Sequence, residues 1–147
     1  MFIHSLRRRL VLVAGLGLAL SVAVPMLSAA AEPTSVTGAL SDSATLIGKG
    51  AAVEIPVVYS CSTDAAWAGT ALLVTERVPG NQTAQGWGSG YGLVCDGSQH
   101  TSLVTVSSNN GNAFHSGTAL VQGSLYAVDQ YGYASYVPLN GTVDIKK

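Results

Sequence analysis

Charge is scarce in this chain, with seven basic and eight acidic side chains among 147 residues. Three of the basic ones, Arg7, Arg8 and Arg9, sit together near the N-terminus. From Glu32 onward only Lys49, Arg77, Lys146 and Lys147 stand against eight acids, a formal net charge of −4. A mildly acidic chain with no basic cluster argues against a nucleic-acid partner and against an anionic membrane surface. There is no Cys-x-x-Cys, which sets aside dithiol redox chemistry. His100 and His115 have no third ligand at zinc-site spacing, and Asp42, Asp129 and Asp144 show no calcium-loop spacing. No metal and no cofactor is therefore expected. Sustained helical periodicity is missing throughout, and no second apolar run approaches membrane length.

What is present begins with an export signal. Arg7–Arg9 form a positive segment, Leu10 to Leu27 is apolar apart from small residues such as Ser21 and Pro25, and Ser28-Ala29-Ala30-Ala31 supplies small side chains for cleavage. No cysteine follows the run, which excludes a lipoprotein anchor. The expected division is a secretory signal peptide over 1–31 and one domain over 32–147, secreted and free of the membrane after cleavage. That length suffices for a core without metals. Two cysteines in an exported chain make one disulfide, Cys61 with Cys95, worth roughly 3.5–4 kcal/mol by loop closure.

The rest reads as strands punctuated by turns. Ala51 to Ser60 places Val53, Ile55, Val57, Tyr59 and then Cys61 on one alternating face, and Pro56 marks an edge or bulge. Further strands are expected over Trp67–Val78, Trp87–Cys95, Thr101–Ser107, Thr118–Val128 and Tyr133–Leu139. Thr142–Ile145 completes the set and Ser35–Leu40 opens it. Pro79-Gly80-Asn81, Asp96-Gly97 and Ser108–Asn112 are the turn signals. Many short strands with such punctuation predict an all-β domain: an immunoglobulin-like antiparallel β-sandwich, with a small closed β-barrel as the alternative.

The candidates for chemistry are few. His100 could pair with Asp96 as a base, but Asp96-Gly97 is also a hairpin signal that starts a strand at His100. Gly86-Trp87-Gly88-Ser89-Gly90 is not Gly-x-Ser-x-Gly and no helix follows, so its glycines are read as backbone bends near the disulfide. Glu54 and Glu76 lie on strands with nothing to set them across a cleft, and are read as acids on a solvent face. The aromatics Trp67, Trp87, Tyr91, Tyr131 and Tyr133 are the candidate binding residues, with Tyr126 and Tyr136 nearby. Such rings grip sugars or protein partners when exposed; otherwise Trp87 and Tyr91 pack over the disulfide and the tyrosines fill a sheet edge.

Tyr59-Ser60-Cys61, Val94-Cys95-Asp96-Gly97-Ser98-Gln99-His100 and Phe114-His115-Ser116-Gly117-Thr118-Ala119 together resemble small secreted actinobacterial domains of uncharacterised function. The resemblance covers Ala51 to Val128. It implies an immunoglobulin-like sandwich with Cys61 bonded to Cys95, and it implies no activity. Antibody-type domains fit poorly, since Trp67 is too near Cys61 and Tyr91 stands four residues before Cys95. The expected protein is thus a secreted, non-catalytic module that binds an extracellular protein or a cell-wall glycan. A self-assembling surface component is the alternative, and a small hydrolase is the third reading.

Overall fold

The computed structural model describes residues 33–147; the signal-peptide reading of 1–31 lies outside them. The described chain is β throughout, apart from one 3₁₀ turn at Gly48–Gly50. Its strands are β1 Val36–Leu40, β2 Ser43–Ile47, β3 Ala52–Cys61, β4 Ala65–Val78, β5 Gln82–Tyr91, β6 His100–Ser108, β7 Gly117–Asp129, β8 Ala134–Pro138 and β9 Gly141–Lys146.

Neighbouring strands run β2-β9-β7-β4-β5-β6, then β6 pairs with β3 and β3 with β2, which closes a seven-stranded barrel. β2 beside β9 is the parallel pair; the other pairings are antiparallel. The fold is therefore the alternative reading of the sequence rather than the immunoglobulin-like sandwich. The reason is physical: alternation marks an inner and an outer face but does not say whether the sheet closes on itself. Closure depends on β2, a short Ser-Ala-Thr-Leu-Ile strand that composition does not announce.

β1 and β2 are one strand, broken where Pro56 stands opposite. The partner of Val57 is Leu40 and that of Glu54 is Thr45, so two extra residues bulge from the β1–β2 side. Ser41 donates its N–H to the Pro56 carbonyl at 3.0 Å. Pro56 has no N–H to return, and the bulge sits where that bond would have formed. β8 and β9 likewise pair with β7 in one continuous register, interrupted at Leu139-Asn140. There the Asn140 side-chain oxygen accepts the Gly123 N–H in place of a backbone carbonyl.

The inward positions fill the barrel. Val53, Ile55, Val57, Leu72, Val74, Val104, Val106, Val121 and Leu125 are fully buried, and Tyr59 and Cys61 nearly so. The alternation over β3 thus has the expected face inside. Buried polar atoms are satisfied among the described residues, Thr70 for instance donating to the Ser124 carbonyl at 3.1 Å. On β5 the inward residues are Ala84, Gly86, Gly88 and Gly90, while Trp87 and Tyr91 point out. A β-carbon on Gly86 or Gly88 would run into the Ser107 or Thr105 carbonyl of β6. These glycines let two strand backbones cross closely. They do not bend the chain near the disulfide as the sequence suggests, because Trp87 pairs with Ser107 and Ser107 with Ala52, at the end of β3 remote from Cys61.

Candidate functional site

One end of the barrel carries the disulfide. Cys61 closes β3 and bonds to Cys95, 34 residues further along the sequence, with a Cα–Cα distance of 4.8 Å. The segment after Tyr91 is held down by the disulfide and by backbone bonds. Leu93 N–H donates to the Ala68 carbonyl at 3.3 Å, and Gly97 N–H to the Cys61 carbonyl at 3.0 Å. The Tyr59 hydroxyl accepts the Val94 N–H at 3.1 Å. Tyr91 is therefore presented from a pinned strand end rather than from a loose loop.

The same end gathers aromatics from four strands. Tyr91 on β5 is opposite Gly69 on β4, Gly69 is opposite Tyr126 on β7, and Tyr126 is opposite Tyr136 on β8. All lie in one rung of the outer face. Trp67, two residues before Gly69, joins the row by meeting Tyr126 edge-on, with ring centroids 5.4 Å apart and planes at 76°. The Tyr126 and Tyr136 centroids are 6.1 Å apart. Both distances suit attractive aromatic pairing. Trp67 is 52%, Tyr91 70% and Tyr136 66% exposed, so the row faces solvent although each neighbour partly covers the next. Burial and the nearby Tyr91 and Tyr136 push the Tyr126 phenol above its ordinary pKa, which keeps it neutral and a hydrogen-bond donor.

Of the candidate residues, then, Trp67 and Tyr91 come together, joined by Tyr126 and Tyr136. The other three do not. Trp87 is on the same outer face of β5, opposite Leu73, four residues along from Tyr91 and away from the disulfide it was expected to cover. Tyr131 and Tyr133 belong to the β7–β8 turn rather than to an extended segment. Asp129 Oδ1 accepts the N–H groups of Tyr131 at 2.8 Å and Tyr133 at 2.9 Å, and Gly132 takes φ +88°. Both side chains are exposed but turn-borne. Tyr126 and Tyr136 were legible as aromatics; their partnership was not, because it depends on a register between β7 and β8.

Of the residues weighed for catalysis, His100 and Asp96 come together, and Ser89 and Glu54 stand elsewhere. His100 Nε2 meets Asp96 Oδ1 at 2.8 Å in an exposed turn, where Asp96 also accepts the Ser98 N–H and the imidazole stacks on Tyr59 at 5.7 Å. The hydrogen bond to His100, and then that from Ser98, hold the Asp96 carboxyl below its ordinary pKa. Among the described residues, no serine hydroxyl or cysteine thiol is hydrogen-bonded to the His100 ring. Ser89 faces outward opposite Ala71. Glu54 points outward between Thr45 and Thr105. Glu76 is not on a solvent face as expected: it is buried, and its carboxylate accepts the His115 N–H at 2.9 Å, anchoring the loop before β7. A concavity of about 460 Å³, lined by Leu46, Lys49, Phe114, His115, Ser116 and Lys147, lies at the opposite end of the barrel from the aromatic row.

No family model and no curated protein matches this chain. Among solved structures, a protein given the provisional name ApaA, from Bordetella pertussis, is 12% identical and covers 78% of this chain and 93% of its own, with a TM-score of 0.41. A likeness that weak carries neither fold nor function.

Proposed function

We propose that the domain is an exported, non-catalytic binding module that engages an extracellular partner through the outer face of β5, β4, β7 and β8. The observation that carries this reading is the aromatic row in which exposed Trp67, Tyr91 and Tyr136 flank the half-buried Tyr126. Large rings left in solvent in one contiguous strip are unusual on a domain that has no use for them. Trp and Tyr supply much contact area at little rotamer cost, which suits recognition. The disulfide fits an oxidising compartment, in line with the expected secretion.

The alternative, a self-assembling coat component, asks for an open sheet edge. β1 and β8 lie side by side without backbone bonds between them, but each is only five residues long. β8 also turns Pro138 toward that seam, since its alternate residues bond to β7. Short strands and an edge proline discourage pairing with another copy.

The test is photo-crosslinking of the processed, disulfide-bonded domain to washed envelopes and spent medium of its source organism. A single saturable partner, lost in Trp67→Ala and in Tyr136→Ala, supports the binding role. Crosslinking of the domain only to itself transfers the weight to self-assembly.

A further inference from the structure

We infer that the partner of this face is a neutral polysaccharide chain. The inference rests on the binding role proposed above and narrows it to a ligand class.

The first ground is charge. Residues 65–75, 82–91, 117–128 and 134–138, which surround the aromatic row, contain no Asp, Glu, Lys or Arg; the charges of these strands stand at their ends, Glu76 and the exposed Arg77 of β4 far from the row and Asp129 closing β7. The carboxylates at the same end of the barrel are already engaged. Asp64 accepts the Thr34 hydroxyl at 2.6 Å, Asp96 is bonded to His100 and Ser98, and Asp129 caps its own hairpin. A charged polymer or a basic peptide would be desolvated against this surface with no ion partner in return. An uncharged ligand is the complementary one.

Shape is the second ground. Small molecules bind in concavities that surround them, and the row is a strip on the outside of a barrel. Between its rings and Trp87 lie small residues, Ala71, Ser89 and Ser124, which register opposite one another across β5, β4 and β7. From Tyr91 to Tyr136 is three strand spacings, roughly 14 Å, and from Tyr91 to Trp87 roughly 13 Å along β5. Those spans exceed a single sugar and suit several linked ones.

The third ground is the mixture of groups. A pyranose ring has an apolar C–H face and a rim of hydroxyls. Tyr91, Tyr136 and Trp67 offer aromatic faces to the former; Ser89, Ser124, Gln122 and the tyrosine hydroxyls offer neutral donors and acceptors to the latter. A protein hot spot would instead be expected to centre on well-packed apolar pockets. Here the centre of the face is alanine and serine.

The experiment is co-sedimentation of the processed, disulfide-bonded domain with insoluble cellulose, chitin and β-1,3-glucan, with affinity electrophoresis in soluble neutral glucans. Saturable binding to at least one of these is expected, unchanged between about 0.05 and 0.5 M NaCl because no ion pair is involved. Trp67→Ala and Tyr136→Ala should each weaken it roughly tenfold or more, whereas Tyr136→Phe, which keeps the ring, should retain most of it. Unfolding midpoints of the variants show that they are folded. Absence of binding to every neutral polysaccharide overturns the inference, and so does binding that salt abolishes. A protein crosslink from envelopes that Trp67→Ala removes, alongside no polysaccharide binding, would leave the binding role standing and reject the ligand class.

Discussion

The Tyr126 hydroxyl lies 2.5 Å from where a β-carbon on Gly69 would stand, and the ring's Cζ 2.8 Å from it. The tyrosine of β7 therefore lies down across the one position of β4 that has no side chain. This shelters Gly69, which is buried, and turns the aromatic edge toward Trp67. Glycine weakens a strand by itself, and a cross-strand aromatic restores the packing. Gly69→Ala is expected to lift Tyr126 off the sheet and to cost about 1–3 kcal/mol of stability, in the range of overpacking. Urea denaturation monitored by tryptophan fluorescence measures both, since Trp67 reports the displacement. An unchanged midpoint would show that Tyr126 does not rest there.

Tyr126 should also ionise above the ordinary tyrosine value. Burial, then the neighbouring Tyr91 and Tyr136, raise its pKa above the ordinary value of 10.0. Its folded-state pKa exceeds the unfolded one, so any stability it contributes is complete below about pH 10 and is lost as pH rises through the folded value. Ultraviolet titration of the six tyrosines should show a late component that Tyr126→Phe removes. Persistence of the late component in that variant assigns it elsewhere.

Removing the disulfide should destabilise the domain by roughly 3.5–4 kcal/mol, the loop-closure value for 34 residues. The double Cys61→Ala, Cys95→Ala variant tests this by chemical denaturation. Intact mass without reductant should be two hydrogens below the reduced form. Because Tyr91 leads into the pinned segment, the reduced protein should also lose binding at the aromatic row before it unfolds. Two thiols that alkylate freely in the native protein would refute the bond.

Acid should weaken the disulfide end in particular. Asp64, chiefly through Ser62 and then Thr34, and Asp96, chiefly through His100, are held below the ordinary aspartate value of 3.8. A carboxyl whose folded pKa is depressed contributes stability above its unfolded pKa, and that contribution is lost as pH falls through the folded value. The wild-type unfolding midpoint should fall between about pH 6 and about pH 2.5, and the Asp64→Asn, Asp96→Asn variant should fall less. Both groups are fully exposed, so the effect should shrink in high salt. Equal acid sensitivity in the two proteins would place the loss in other carboxyls.

How much of this was legible depends on range along the chain. Residues 51–60 announced β3 because Val, Ile, Val and Tyr recur at every second position, and every one of them is buried. Thr101–Ser107 and Thr118–Val128 were readable for the same reason and differ from β6 and β7 by a residue or so at each end. The strand expected over Trp87–Cys95 is shifted: β5 runs from Gln82 to Tyr91, because the short Pro79–Asn81 turn sends the chain straight back along β4. Glu76 was misplaced because a charged side chain in an otherwise regular strand gives no sign that a distant loop, through His115 N–H, will meet it inside. The aromatic site was half readable. Trp67 and Tyr91 were singled out as aromatic rings, but Tyr131 and Tyr133 were grouped with them on the same ground, and the four-residue connection between β7 and β8 carries them out of the row.

By itself the sequence determined what is local: the all-β character, the inner face of each long strand, the turns, and the identity of the two cysteines that join. Those follow from side-chain alternation, turn chemistry and a count, all confined to a few neighbouring residues. Only the tertiary structure decided that β2 and β9 meet in parallel to close a barrel, and that Trp67, Tyr91, Tyr126 and Tyr136 stand in one rung. Strand partners are chosen across tens of residues by how whole faces pack, and a shift of one residue in register would turn every outward ring inward.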